Sequence, residues 1–113
     1  RNMASEFGYK LTERAAADLD EIVSYIAVQL DNRQAASIFL DKLRSAISEA
    51  CAFPESGALA ANEFLLSSNI RKKLIGSYVL YYVPDMQAKT IYVLRILYGR
   101  RNLDEILREM NLS

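Results

Sequence analysis

Apolar residues recur along this chain with two different periods, and the change of period marks its architecture. After Thr12, the residues Leu19, Ile22, Val23, Ile26 and Leu30 return at helical spacing and form one apolar face. Thr12 is placed to cap that helix, with Glu13 in the first turn, where negative charge suits the helix dipole. Asp18, Asp20 and Glu21 are read as a solvated face. Asp31-Asn32 breaks the pattern and caps a second helix carrying Ala36, Phe39, Leu40, Leu43, Ile47 and Ala50, which stops at Pro54 with Gly57 close behind. So short a connection makes the helices antiparallel neighbours.

Beyond a loop of small and polar residues (58–69), the period shortens. "IRKKLI", "YVLYYV" and "TIYVLRILYG" are rich in Ile, Val, Leu and Tyr and are separated by "GS" and "PDMQAK". These are strands of an antiparallel meander. "YKL" near the start is a further short strand, and Asn102 caps a last helix with Leu103, Ile106, Leu107 and Met110 on its apolar side. The order β-α-α-β-β-β-α predicts an α+β fold, an antiparallel sheet packed on an N-terminal helical hairpin. The opening "RNMASEF" matches nothing downstream and is set aside, so the single domain is taken to run over 8–113.

Strand register decides which side chains face the helices, because a slip of one residue reverses every one of them. A two-residue turn at Gly76-Ser77 pairs Ile75 with Tyr78; a three-residue loop pairs Leu74 with Tyr78. The longer loop is favoured here. It gathers Ile70, Leu74, Tyr78, Leu80 and Tyr82 against the helices and leaves Arg71, Lys73 and Tyr81 on the opposite face, with Lys72 the awkward residue.

Composition removes whole classes of chemistry. The chain has no histidine and one cysteine, so a histidine-based triad and the usual zinc sites are excluded, and no cofactor is expected. Neither G-x-x-x-x-G-K-[ST] nor G-x-G-x-x-G occurs. Cys51, in "EACAF", reads as a small buried hydrophobe. No apolar run is long enough to cross a bilayer and no signal peptide is visible, so a cytoplasmic location and no membrane partner are expected. Net charge is zero but unevenly placed. Residues 1–69 carry 6 Lys/Arg and 10 Asp/Glu, and residues 70–113 carry 8 and 4. A basic second half hints at an anionic partner.

In this reading Arg71, Lys73, Tyr81 and Arg95 share the sheet face away from the hairpin, with Tyr98, Arg100 and Arg101 at its end. Arginine forks grip phosphates and tyrosine rings stack on bases, so the surface suits RNA or an acidic protein segment.

The segments "ERAAADLDEIVSYI", "FPESG", "IRKKLIGSYVLYYV" and "IYVLRILYGRRNLDEIL" resemble, in this order and spacing, the RelE/ParE superfamily of bacterial toxins. The resemblance spans almost everything from Tyr9 to Met110 and implies the toxin of a type II toxin–antitoxin pair, neutralised by a small antitoxin. RelE-like members cleave mRNA in the ribosome; ParE-like members inhibit DNA gyrase. By position, Arg71 and Lys73 match the basic strand that holds RNA in the RelE-like branch and Arg101 the arginine closing the last strand; the resemblance implies phosphate stabilisation by these three, with Tyr98 or Tyr81 as proton donor or stacking platform. Glu55 and Glu63 are alternative general bases. The chain departs from that branch at Val79, where RelE-like nucleases carry an arginine, and at Leu107, where they carry a tyrosine. Losing one charge-stabilising group costs roughly 10²–10³ in rate. The ParE-like reading is therefore favoured, with the RelE-like nuclease as the alternative and a non-toxic interaction module of the same fold as the third.

Overall fold

The computed structural model describes residues 6–60 and 69–99. Strand β1 (Gly8–Leu11) leads to Thr12, whose hydroxyl accepts a hydrogen bond from the Ala15 amide and so opens helix α1 (Glu13–Ser24). The same hydroxyl donates to the Leu94 carbonyl at 3.0 Å, fixing the start of the helix to the sheet. The helix does not continue as α to Leu30. It widens into a π turn (Tyr25–Gln29), in which the Leu30 amide reaches back to the Tyr25 carbonyl, and Leu30 ends up exposed. Asn32 caps helix α2 (Arg33–Ala52) through the Ala35 amide, as its position suggests.

Strands β2 (Ala58–Leu59), β3 (Arg71–Ile75), β4 (Tyr78–Asp85) and β5 (Thr90–Tyr98) complete a five-stranded sheet in the order β1-β5-β4-β3-β2. The three long strands form the expected antiparallel meander, β2 adds a short antiparallel edge, and β1 pairs parallel to β5. The result is an α+β fold with both helices on one sheet face. Its main core joins Ala15, Ile22, Ile26, Phe39, Leu43 and Ile47 of the helical segment to Ile75, Leu80, Tyr82, Ile91, Val93 and Ile96 of the sheet. Phe7, set aside on sequence grounds, also packs on this core, and its amide bonds to the Cys51 carbonyl.

The register between β3 and β4 corrects the sequence reading. Ile75 pairs with Tyr78 across a two-residue turn, and Gly76 has φ +60° at the first turn position, where hairpins favour glycine. Ile75 is therefore buried at 2% exposure, and Leu74 is turned outward at 77%. Arg71 and Lys73 move with Ile75 to the helix side. Ile70 goes to the other face, where it clusters with Ala60, Val79, Tyr81 and Leu97.

Among the described residues no helix is long and apolar enough to cross a membrane. Arg100, Arg101, Glu63 and the expected helix over 102–110 lie outside the described residues.

Candidate functional site

Every described cation proposed from the sequence is engaged by an acceptor within the protein. Arg71 Nη1 donates to the carbonyl oxygens of Glu55 and Gly57 at 3.0 and 2.7 Å, clasping the segment that leaves α2. The amine of Lys73 meets the carboxylate of Glu49 on α2. The lysine side chain is 8% exposed and Glu49 is 60% exposed, so the pair is half in water and screened.

Arg95 has the deepest engagement. Strand β5 carries one more residue than β4 at this point: Tyr81 pairs with Arg95 and Tyr82 with Val93, which leaves Leu94 unmatched. A bulge of this kind re-aims a neighbouring side chain. The Arg95 guanidinium turns to α1, where Nε and Nη2 donate to the Asp18 carboxylate at 2.8 and 3.1 Å. Both residues are buried, and the same carboxylate also accepts the Ile96 amide at 3.0 Å.

The expectation that Arg71, Lys73, Tyr81 and Arg95 share one open sheet face is thus overturned. Arg71 and Lys73 lie on the α2 side because the hairpin turn is one residue shorter than expected. Arg95 turns to α1 because of the bulge. Tyr81 remains on the outer face but is buried there at 8% exposure, and burial pushes its phenol above the ordinary value of 10.0. Val79 is buried in the same cluster.

Among the described candidates, Tyr98 is the one that is exposed. It stands at the end of β5, half exposed, with its ring edge-on to that of Tyr78 at a centroid separation of 5.8 Å. Phe39 of α2 supports Tyr78 from the other side at 5.3 Å. Tyr25, from the π turn, joins them around a pocket of about 490 Å³ whose polar residues include Asp18, Glu21 and Arg95. Desolvation raises the Tyr78 phenol above 10.0, and repulsion from the Tyr25 and Tyr98 phenols adds to the shift.

Sequence reasoning missed this grouping. One signal was present: Ala15, Asp18 and Ile22 are the buried residues of α1, so Asp18 sits on the apolar stripe at helical spacing and not on the solvated face. Nothing local marks Tyr25, because the π turn that presents it has no clear sequence signature.

A second residue with a structural role is Tyr82, whose buried hydroxyl accepts the Gly57 amide and donates to the Pro54 carbonyl, each at 2.9 Å. This pins the Pro-x-x-Gly exit from α2 against the sheet.

A family model described as "ParE toxin of type II toxin-antitoxin system, parDE" matches residues 9–103. The chain belongs to the ParE toxin family. Solved structures share its fold at low identity. A chain from the chromosomal ParDE toxin–antitoxin system of P. aeruginosa aligns with TM-score 0.63 and 22% identity over 83% of this chain and 97% of that one. The isolated E. coli RelE toxin gives 0.57 and 15% over 92% and 98%. A chain from the RelBE2 toxin–antitoxin complex of Mycobacterium tuberculosis gives 0.56 and 18% over 82% and 98%. No curated protein matches the sequence closely enough to register as a relative. The family is that of ParE toxins of type II toxin–antitoxin systems, and the fold is shared with the RelE toxin.

Proposed function

We propose that this toxin arrests growth in the cytoplasm by binding DNA gyrase, and that a small cognate antitoxin covers it until release. The observation that carries the reading is the internal engagement of Arg71, Lys73 and Arg95. An RNA-cleaving centre needs a base for the 2′-hydroxyl, cations for the charge growing on phosphate and an acid for the departing oxygen. Here the guanidinium groups of Arg71 and Arg95 hold the fold, Tyr81 is buried, and valine stands at 79. A binding mechanism asks for an accessible surface and no proton relay, and Tyr25 and Tyr98 offer one. The match to the ParE family points the same way. The antitoxin partner follows from the family and from the ParDE and RelBE2 structures, which are toxin–antitoxin assemblies.

Pulse labelling after induced expression tests the reading in cells. DNA synthesis is expected to fall before protein synthesis, with both restored by co-expression of the small protein encoded beside the toxin. Protein synthesis failing first would overturn the gyrase reading in favour of mRNA cleavage. An unaffected culture would leave only an interaction module.

A further inference from the structure

The pocket at the ends of β4 and β5 has a chemistry of its own. Its described lining includes Tyr25, Tyr78 and Tyr98, contributed by the π turn and by two adjacent strands. Tyr78 is held rigid between Phe39 and Tyr98, both edge-on to it at 70° and 78°. Tyr25 and Tyr98 are each 49% exposed and so present ring surface to an incoming group.

Among the described residues, the charges around the pocket favour one sign. Asp18 and Arg95 pair through their fork, so among the described lining residues the remaining charge is the exposed carboxylate of Glu21. The pocket also lies against the C-terminal end of the first helical segment, the negative pole of its dipole, and that last turn contains no basic residue. Aromatic faces are themselves electron-rich and attract cations. An anion would meet Glu21, the helix end and the ring faces, while Arg95 is buried and already held by Asp18. A purely apolar group would leave Glu21 and the phenols without use.

The π turn is a second, independent observation. Such turns are uncommon and occur frequently at functional sites, because the extra residue shifts the side chains that follow out of the regular helical frame. This one falls where Tyr25 enters the pocket.

We propose that this tyrosine-walled pocket receives the guanidinium of an arginine presented by a protein partner. A planar cation matches ring faces better than a compact ammonium does, and it can donate to Glu21 while it stacks. The inference rests on the proposed binding mode only in taking the partner to be a protein; the recognition chemistry does not depend on which protein it is.

Amide resonances of the intact protein, followed during titration with N-acetyl-arginine amide, test it directly. Saturable shifts are expected at Tyr25, Tyr78 and Tyr98. The neutral isostere N-acetyl-citrulline amide should bind at least about fivefold more weakly, and inorganic phosphate should leave these resonances in place. Glu21→Gln and Tyr25→Leu change exposed positions that leave the core intact. Each is expected to weaken the arginine derivative about two- to fivefold. Equal response to the citrulline derivative, phosphate shifts at the tyrosines, arginine shifts confined to other surfaces, or no saturable shift at all would each overturn the proposal. Gyrase inhibition is not read in this experiment. Arginine binding by a protein that spares gyrase would therefore refute the proposed function and leave the pocket standing, and the converse result would do the opposite.

Discussion

Asp18 and Arg95 form a buried two-point ion pair between the first helix and the last strand, although 77 residues separate them in the chain. Asp18 is bound a third time, by the Ile96 amide, so one carboxylate satisfies three donors from a single strand. Burying two charges is costly, and the pair is favourable only while both are present. Asp18→Ala is therefore expected to lower stability by about 3–5 kcal/mol, because it leaves the guanidinium in the interior without that carboxylate. Urea unfolding would measure this. The double replacement Asp18→Leu with Arg95→Met should recover much of the loss. A loss under about 1 kcal/mol for Asp18→Ala would mean that the pair contributes no more than an exposed one.

Gly57 and Tyr82 are equally specific. A Cβ at Gly57 would lie 2.7 Å from the Tyr82 hydroxyl and 2.8 Å from the Lys72 carbonyl, and the latter belongs to a strand that cannot easily move. Gly57→Ala should cost about 1–3 kcal/mol by overpacking. Tyr82→Phe removes the partner of the Gly57 amide and the Pro54 carbonyl without adding volume, and a similar loss of about 1–3 kcal/mol is expected. Thermal unfolding that left both variants at wild-type stability would show that the α2 exit is not held in this way.

Lys73 separates structural from target-directed readings of the basic strand. Its stem is buried, but its ion pair with Glu49 is partly in water. Lys73→Met keeps the stem and removes the charge, so stability should change by less than about 1 kcal/mol. Growth arrest on induction, scored by colony counts, is expected to persist. A folded Lys73→Met protein without toxicity would assign this amine to the target.

Alkaline pH gives a further test. Burial raises the phenols of Tyr78 and Tyr81 above 10.0, and for Tyr78 the neighbouring Tyr25 and Tyr98 add to the effect. In the unfolded chain these phenols lose their protons first, so above the ordinary tyrosine range the folded state binds more protons. The stability they contribute is then fully present below about pH 10 and is lost as pH rises through their folded values. The urea midpoint should fall above about pH 10, and phenolate absorbance should show tyrosines that titrate late. Tyrosines that all ionise together at the ordinary value would contradict the burial.

Helices α1 and α2 were legible because their signals are local. Thr12 and Asn32 cap where expected, and the α2 stripe of Ala36, Phe39, Leu43 and Ile47 is buried as its spacing implies. The strands were legible as segments, while their facing was not. The reading of the hairpin favoured the longer loop, which gathered Ile70, Leu74, Tyr78, Leu80 and Tyr82 against the helices and put Arg71 and Lys73 on the other face. Gly76-Ser77 is nonetheless a strong two-residue turn, and the stems of both cations are covered while Glu49 and two carbonyls receive their heads. The parallel pairing of β1 with β5 and the bulge at Leu94 depend on contacts distant in sequence, and with them the burial of Asp18 and Arg95 went unseen. Of the candidate site, Tyr98 was visible from its place at the strand end; Tyr25 and Tyr78 needed the fold.

In the proposed function this toxin binds gyrase, while Arg71, Lys73 and Arg95 serve the fold. DNA supercoiling by purified gyrase, titrated with purified toxin beside an mRNA-cleavage assay on programmed ribosomes, tests it most directly. Supercoiling is expected to be inhibited while the mRNA stays intact. Cleaved mRNA with supercoiling unaffected would contradict it.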